Sequence, residues 1–222
     1  MDKLRILEVA SEVAPFARTG GLGDVLGSLP KALARLGHDV KVVMPQYGSI
    51  DTTALQLTSE TEFPIEIAGK ISPCQVNSLR DHKARMTYFF LANEQLFGRR
   101  ELYLDPATGQ DFADNDIRFA FFCRAVLELV KRLGWRPHIV HVHDWQAALI
   151  PAYLRTRFAD DATFANSKSV LTIHNLGYQG LFPAKRFSLL GLPETMFYAV
   201  TGAFEFYGKV NFLKAGILYS SA

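Results

Sequence analysis

Five short runs rich in Val, Ile and Leu recur along the chain, at residues 5–10, 39–45, 86–91, 139–143 and 169–174. Several are continuously apolar rather than alternating in polarity. A strand of that kind is buried on both faces, as parallel strands are when helices cover each side of their sheet. Between the runs lie segments with helical spacing. Residues 24–36 set Val25, Leu29, Leu33 and Leu36 on one face, and Pro30 within them predicts a kink or a split. Residues 116–133 repeat Phe119, Phe122, Val126, Leu129 and Val130. Residues 144–157 follow their strand without a gap, and Pro151 is expected to bend them. This alternation predicts an α/β fold, a Rossmann-like doubly wound and mostly parallel sheet. Residues 49–85 differ: short alternating runs such as 62–67 read as a hairpin insertion or an antiparallel edge. At 222 residues the chain can bury one core, with room for a small subdomain.

Composition removes several function classes. A net charge of +2 with no basic run gives no electrostatic case for nucleic acid. Cys74 and Cys123 are too few for a disulfide framework and too far apart in sequence for a zinc knuckle, so they read as reduced, partly buried thiols. No stretch of about 18 residues is apolar and free of charge, and no basic segment precedes a long apolar one at the start. These features predict a cytoplasmic protein, or a plastid one from which a transit peptide has been removed, with no membrane partner.

The polar groups of interest follow the strands. After the first strand comes Arg18-Thr19-Gly20-Gly21-Leu22-Gly23-Asp24. Three glycines in four residues leave backbone N–H groups uncovered at the start of a helix, a setting that suits a diphosphate. Arg18 adds a permanent charge with a planar fork of donors. The run is neither a dinucleotide fingerprint nor a Walker loop, and a ligand-free strand-to-helix turn fits it equally well. In open α/β sheets, however, ligands bind beyond the carboxyl ends of the strands. His143 and Asp144 follow the fourth strand, and His174 and Asn175 end the fifth. Three separate segments thus bring polar groups to one edge, which favours a shared site.

Each group has a plainer reading. His138, His141, His143 and Asp144 resemble a metal cluster, with His141 and His143 on one strand face about 7 Å apart. Zinc needs a third and usually a fourth ligand, for which His174 and Asp144 are available. Core histidines bonded to backbone are the commoner case, and His141 is read as packed core. Asp144 fits a helix N-cap as well as a ligand contact. In Leu176-Gly177-Tyr178-Gln179-Gly180, the ring of Tyr178 and the amide of Gln179 suit a sugar's CH face and hydroxyls. Phe182 reads either as a sugar contact or as core. No G-x-S-x-G elbow exists, which argues against a serine hydrolase.

Taken in order, Ser11-Glu12-Val13-Ala14-Pro15, the glycine run from Arg18 to Val25, Leu29-Pro30, Asp114-Asn115 with Arg118-Phe119, residues 141–145, residues 172–180 and Phe212-Leu213-Lys214-Ala215-Gly216 resemble the bacterial glycogen synthases and plant starch synthases over essentially the whole chain. The resemblance implies the N-terminal, acceptor-side half of a two-domain GT-B glycosyltransferase. A nucleotide-binding C-terminal domain is then expected beyond Ala222, and residues 1–222 alone are expected to be inactive. It implies retaining transfer of glucose from ADP-glucose to the 4-hydroxyl of an α-1,4-glucan, by a covalent intermediate or by same-face attack, without a metal or other cofactor. Carried over by position, Arg18, Thr19, Gly20, Gly21, Asp24 and Asn175 are implied at the donor. His174 and Asp144 are implied at the transferred glucose, and Tyr178, Gln179 and Phe112 along the acceptor. The family usually has lysine where Arg18 stands, and some relatives have tyrosine at Phe112. A free-standing glucan-binding or regulatory module, or a GT-B transferase using another nucleotide sugar, are the alternative readings.

Overall fold

The computed structural model describes residues 2–198 and 203–222. Strand β1 (Arg5–Val9) leads through helix α1 (Gly21–Arg35) into β2 (Asp39–Pro45). A hairpin of β3 (Thr58–Ile67) and β4 (Lys70–Asp81) precedes β5 (Met86–Ala92) and the single turn α2 (Glu94–Phe97). The long α3 (Asn115–Arg132) returns the chain to β6 (Ile139–His143). From there it runs through α4 (Asp144–Ala147) and α5 (Leu149–Leu154) to β7 (Lys168–Thr172). A small antiparallel sheet of β8 (Leu181–Pro183), β9 (Glu205–Phe206) and β10 (Lys209–Asn211), with short 3-10 turns, precedes α6 (Phe212–Tyr219).

The large sheet has the order β3-β4-β5-β2-β1-β6-β7. The five strands from β5 to β7 are parallel, and β3 and β4 form an antiparallel edge. Both readings of residues 49–85 therefore hold: the segment is a hairpin, and the hairpin is the sheet's edge. Continuous apolar runs became the central strands because helices cover both faces. Leu7, Val9, Val42, Val43, Val140 and Val142 are fully buried. Right-handed crossovers put α1 on one face and the α3–α5 layer on the other. From β1 the chain steps to β2 on one side; from β6 it steps to β7 on the other. The order thus reverses between β1 and β6, and the crevice beyond their carboxyl ends is the topological switch point at which such sheets bind ligands.

Several expectations need correction. Helix α1 runs through Pro30 without a break. Its buried face is Leu22, Leu26 and Pro30, spaced four apart, so the proline ring fills the core at the cost of one backbone hydrogen bond. Val25 and Leu33 flank that face, and Leu36, past the helix end, is 70% exposed. Residues 144–157 are two short helices, broken at Ala148. Pro151 lacks the N–H that would bond Ala147, and it sits in the first turn of α5, where that loss is harmless. Strand β7 stops at Thr172, which leaves His174 and Asn175 in the following loop. The small sheet was not foreseen, because two- and three-residue strands carry no periodicity. Cys74 and Cys123 are free and fully buried. No described helix is long and apolar enough to cross a membrane.

Candidate functional site

Strand β1 and the segment just after it bring two carboxylates, Glu8 and Glu12, to the switch point. Glu8 stands opposite His141 in the parallel register of β1 and β6, and His143, two residues on, shares its face. Glu8 is wholly buried between the two rings. Its Oε2 lies 2.8 Å from His143 Nε2 and 3.1 Å from His141 Nδ1. On the far side, His141 Nε2 meets Thr172 Oγ1 of β7 at 2.8 Å, and His143 Nδ1 lies 3.0 Å from His174 Nε2. The rings of His143 and His174 stack at 5.2 Å between centroids. Burial by itself pushes the Glu8 carboxyl up, but the bonds and charge offered by His141 and His143 more than offset it, and it stays below its ordinary range. Burial holds the His143 imidazole below its ordinary value, outweighing the pull of Glu8.

The group that resembles a metal cluster in sequence is a different object. His138 is at the opposite end of β6, where its Nδ1 accepts the Arg5 N–H at 3.0 Å, so it does not converge with the others. Donor atoms of Glu8, His141 and His143 do lie within 4.8 Å of one another. Each of them is already engaged in a hydrogen bond within the group. His141, read as packed core, is a member of this polar chain instead.

The second carboxylate is Glu12, only 4% exposed beneath the glycine loop. It accepts the N–H of Thr19 at 2.5 Å, the Thr19 hydroxyl at 2.9 Å, the N–H of Gly20 at 3.2 Å and the Tyr103 hydroxyl at 2.8 Å. Tyr103, its proton donated to Glu12, accepts from Ser11 Oγ at 2.7 Å. A buried carboxylate thus holds the loop open from below. Two of the amides that sequence offered to a diphosphate serve this anchor. Those of Gly21, Leu22 and Gly23, in the first turn of α1, lack helical partners. The glycines divide in the same way. A Cβ on Gly23 would lie 2.6 Å from Arg18 Cβ, so Gly23 is required by packing. A Cβ on Gly20 or Gly21 would meet nothing within 4 Å, so within this chain their bareness serves no contact. Arg18 pairs with Asp24 at 2.5 Å, both side chains about three-fifths exposed. An exposed pair is worth at most about 1 kcal/mol, so an incoming phosphate could displace Asp24 at little cost.

Asp144 follows β6 with φ +55°, a left-handed conformation uncommon outside glycine. It does not cap its own helix; His143 holds the N-cap position. Asp144 Oδ1 instead accepts the N–H groups of His174 at 2.7 Å and Asn175 at 3.4 Å, clamping the loop after β7 onto the end of β6. Asp144, His174 and Asn175 thus form one unit, tied through His143 to Glu8.

The remaining site candidates are more scattered. Tyr178 is 68% exposed on the same loop. Gln179 is held by Asn211 Nδ2 at 2.8 Å, and its backbone carbonyl by the Leu213 N–H at 3.1 Å, so it anchors the loop to α6. Phe182 packs on Trp145 and Phe212, the core reading of that ring. Phe112 lies between the guanidinium groups of Arg99 and Arg118, at 4.4 and 5.1 Å. Sequence reasoning passed over Glu8, Glu12, Tyr103 and Thr172. A signal existed for Glu8: a carboxylate inside a run read as buried on both faces needs a partner, and the adjacent strand carries two histidines.

Comparison with known proteins identifies the family and the fold. Residues 5–222 match the family described as starch synthase catalytic domain. A glycogen synthase 2 of Geobacter sulfurreducens is 44% identical over 97% of the chain, which covers 43% of that protein. A glycogen synthase of Thermotoga maritima is 41% identical over 98% of the chain and 44% of that protein. The catalytic domain of starch synthase IV from Arabidopsis thaliana, solved bound to ADP and acarbose, superposes with a TM-score of 0.86 at 28% identity, over 99% of this chain and 44% of that one. The chain therefore spans less than half the length of the relatives it matches, and its mostly parallel sheet corresponds to the N-terminal half of a GT-B glycosyltransferase. The chain belongs to the starch synthase catalytic domain family.

Proposed function

We propose that this chain is the acceptor-side half of a retaining glucosyltransferase that extends α-1,4-glucans with glucose from ADP-glucose, and that a C-terminal nucleotide-binding domain completes its cleft. One observation carries the reading. At the β1/β6 switch point, a loop held by Glu12 leaves open space beside two glycines, Gly20 and Gly21, and beyond the end of β6 Asp144 clamps His174 and Asn175. The names of the relatives and the ADP and acarbose bound to starch synthase IV support the choice of donor and acceptor.

In this reading, negative charge grows on the diphosphate as the glycosidic bond breaks. Arg18 and the first amides of α1 stabilise that charge more in the transition state than in the ground state. Thr19 and Asp24 shape the loop that carries them. His174 and Asn175 hold hydroxyls of the transferred glucose, and Asp144 fixes both residues through their backbone. Tyr178, exposed on the same loop, offers an aromatic face to the glucan, with Gln179 and Phe112 as further acceptor-side candidates.

An NMR titration of this chain with a linear malto-oligosaccharide tests the acceptor half of the proposal. Shifts centred on Asp144, His174, Asn175 and Tyr178 are expected. A folded protein whose spectrum ignores the sugar would count against it. In the full-length enzyme, Arg18→Ala should cut glucosyl transfer at least tenfold, about 1.4 kcal/mol of transition-state binding, with glucan affinity unchanged. Equal rates for mutant and parent would remove Arg18 from the donor site.

A further inference from the structure

The polar chain beneath His174 has only one self-consistent placement of its protons. Glu8 is wholly buried and is engaged only by the two histidines. An ionised carboxylate can only accept, so the ring nitrogens facing it, His141 Nδ1 and His143 Nε2, must both carry protons. A neutral imidazole carries one proton. His143 Nδ1 is therefore bare, and it lies 3.0 Å from His174 Nε2. His174 Nε2 must then be the donor of that bond. At the other end, His141 Nε2 is bare and accepts from Thr172 Oγ1 at 2.8 Å. Every bond from Thr172 to His174 then pairs one donor with one acceptor. Reversing any ring would set two protons or two lone pairs against each other in a buried site, where unpaired polar groups are costly.

We infer that Glu8 is a positioning residue: acting through His143, it fixes the proton of His174 on Nε2 and leaves His174 Nδ1 as a hydrogen-bond acceptor. His174 Nδ1 has no partner in the structure among the described residues, while Asp144 holds the His174 backbone at 2.7 Å. The ring is thus fixed in position by one carboxylate and in tautomer by another. Resting on the function proposed above, this makes His174 an acceptor for a sugar hydroxyl rather than a donor to it. The role falls to a residue inside β1, outside the glycine loop and outside the loops at the sheet edge.

Ring-nitrogen NMR of the histidines reads tautomers directly and needs no substrate. In this chain at pH 7.5, the expected pattern is a proton on Nδ1 of His141 and on Nε2 of both His143 and His174, each as a single tautomer. Glu8→Leu removes the acceptor facing His143 Nε2 and offers no polar atom in its place, so nothing fixes the His143 proton and His174 should become a mixture of both tautomers. Should Glu8→Leu fail to fold, His143→Phe removes the acceptor facing His174 Nε2 and should give the same mixture. A proton on His174 Nδ1 in the parent would overturn the inference, as would a single unchanged His174 tautomer in a folded variant. The sugar titration proposed above is a separate readout, so a failed acceptor assignment and a failed tautomer assignment are told apart.

Discussion

At the scale of single residues, the glycine run separates into positions that the chain needs and positions that it leaves open. Gly23 touches Arg18: a Cβ there would come within 2.6 Å of a side-chain carbon next to the backbone, which has no room to swing away. Gly23→Ala should cost about 1–3 kcal/mol as an overpacked site. Gly21 is the first residue of α1 and nothing lies near its missing Cβ. Gly21→Ala should stabilise this chain by about 0.4–1 kcal/mol, since alanine loses less backbone freedom on folding. The same change should lower glucosyl transfer in the full-length enzyme, because the methyl group would stand where a diphosphate is proposed to approach. Urea unfolding of the two variants checks the opposite signs. A destabilised Gly21→Ala protein would mean that the space beside the loop is not open, and one that transfers glucose at the parental rate would mean that this space has no part in donor binding. Asp144 teaches a related lesson. Its backbone is held at φ +55° while its carboxylate ties down the next loop, a combination that persists only when its surroundings impose it.

At the scale of elements, the contest is between intrinsic preference and packing. Helix α6 carries Gly216, buried against α4 and α5, where a Cβ would meet Ala148 Cβ at 2.8 Å and Ala148 O at 3.1 Å. Helix propensity alone favours Gly216→Ala by about 1 kcal/mol. The close approach to backbone at the break between α4 and α5 should outweigh that gain, and the variant should lose about 1–3 kcal/mol net. A Gly216→Ala protein as stable as the parent would show that the α5–α6 packing yields easily. The same contest explains what could be read from sequence. Parallel strands such as residues 39–45 and 139–143 were legible to the residue, because Val, Ile and Met crowd between turn signals even where Lys41, His141 and His143 interrupt the run. Helix α3 was legible within one residue for the same kind of reason. The α4–α5 break was misplaced because it falls at Ala148, whereas Pro151, read as a bend, sits in the first turn of α5, where a proline is tolerated. The true face of α1 was missed because Pro30 was taken for a breaker when it is a core residue. At the site, the strand-end groups were visible because the edge rule needs only strand limits. Glu8 was not, because its partners lie 133 and 135 positions away along the chain, and Glu12 was not, because nothing in the sequence marks a carboxylate seven residues before Thr19 as the acceptor for the glycine run's own amides.

At the scale of the whole molecule, one sheet serves both binding edge and electrostatic keel. Strand β1 lies at the order reversal, and one carboxylate within it and one just past its end support the two halves of the proposed site: Glu8 the histidine chain, Glu12 the glycine loop. That arrangement makes global stability depend on pH in a defined direction. The folded protein keeps His143 neutral below its ordinary value near 6.5, whereas the unfolded chain takes up the proton there. Between the folded and unfolded values the unfolded state binds more protons, so stability rises with pH and is lost on acidification. Glu8 acts in the same sense further down: its carboxyl titrates below the ordinary 4.5 when folded, so its contribution is present above that value and is lost as pH falls through the folded one. Urea unfolding of this chain should therefore show stability falling from pH 7 to pH 5, with a slope from His143 of at most about 1.4 kcal/mol per pH unit. His143→Gln lowers stability at every pH by disturbing a buried bond, so the informative quantity is the slope. It should flatten between pH 6.5 and 5 while the steeper loss at lower pH remains. A parent profile flat from pH 7 to 5, or a slope unchanged by the substitution, would mean that His143 is not held neutral and that the sheet does not couple acidification to unfolding at this position.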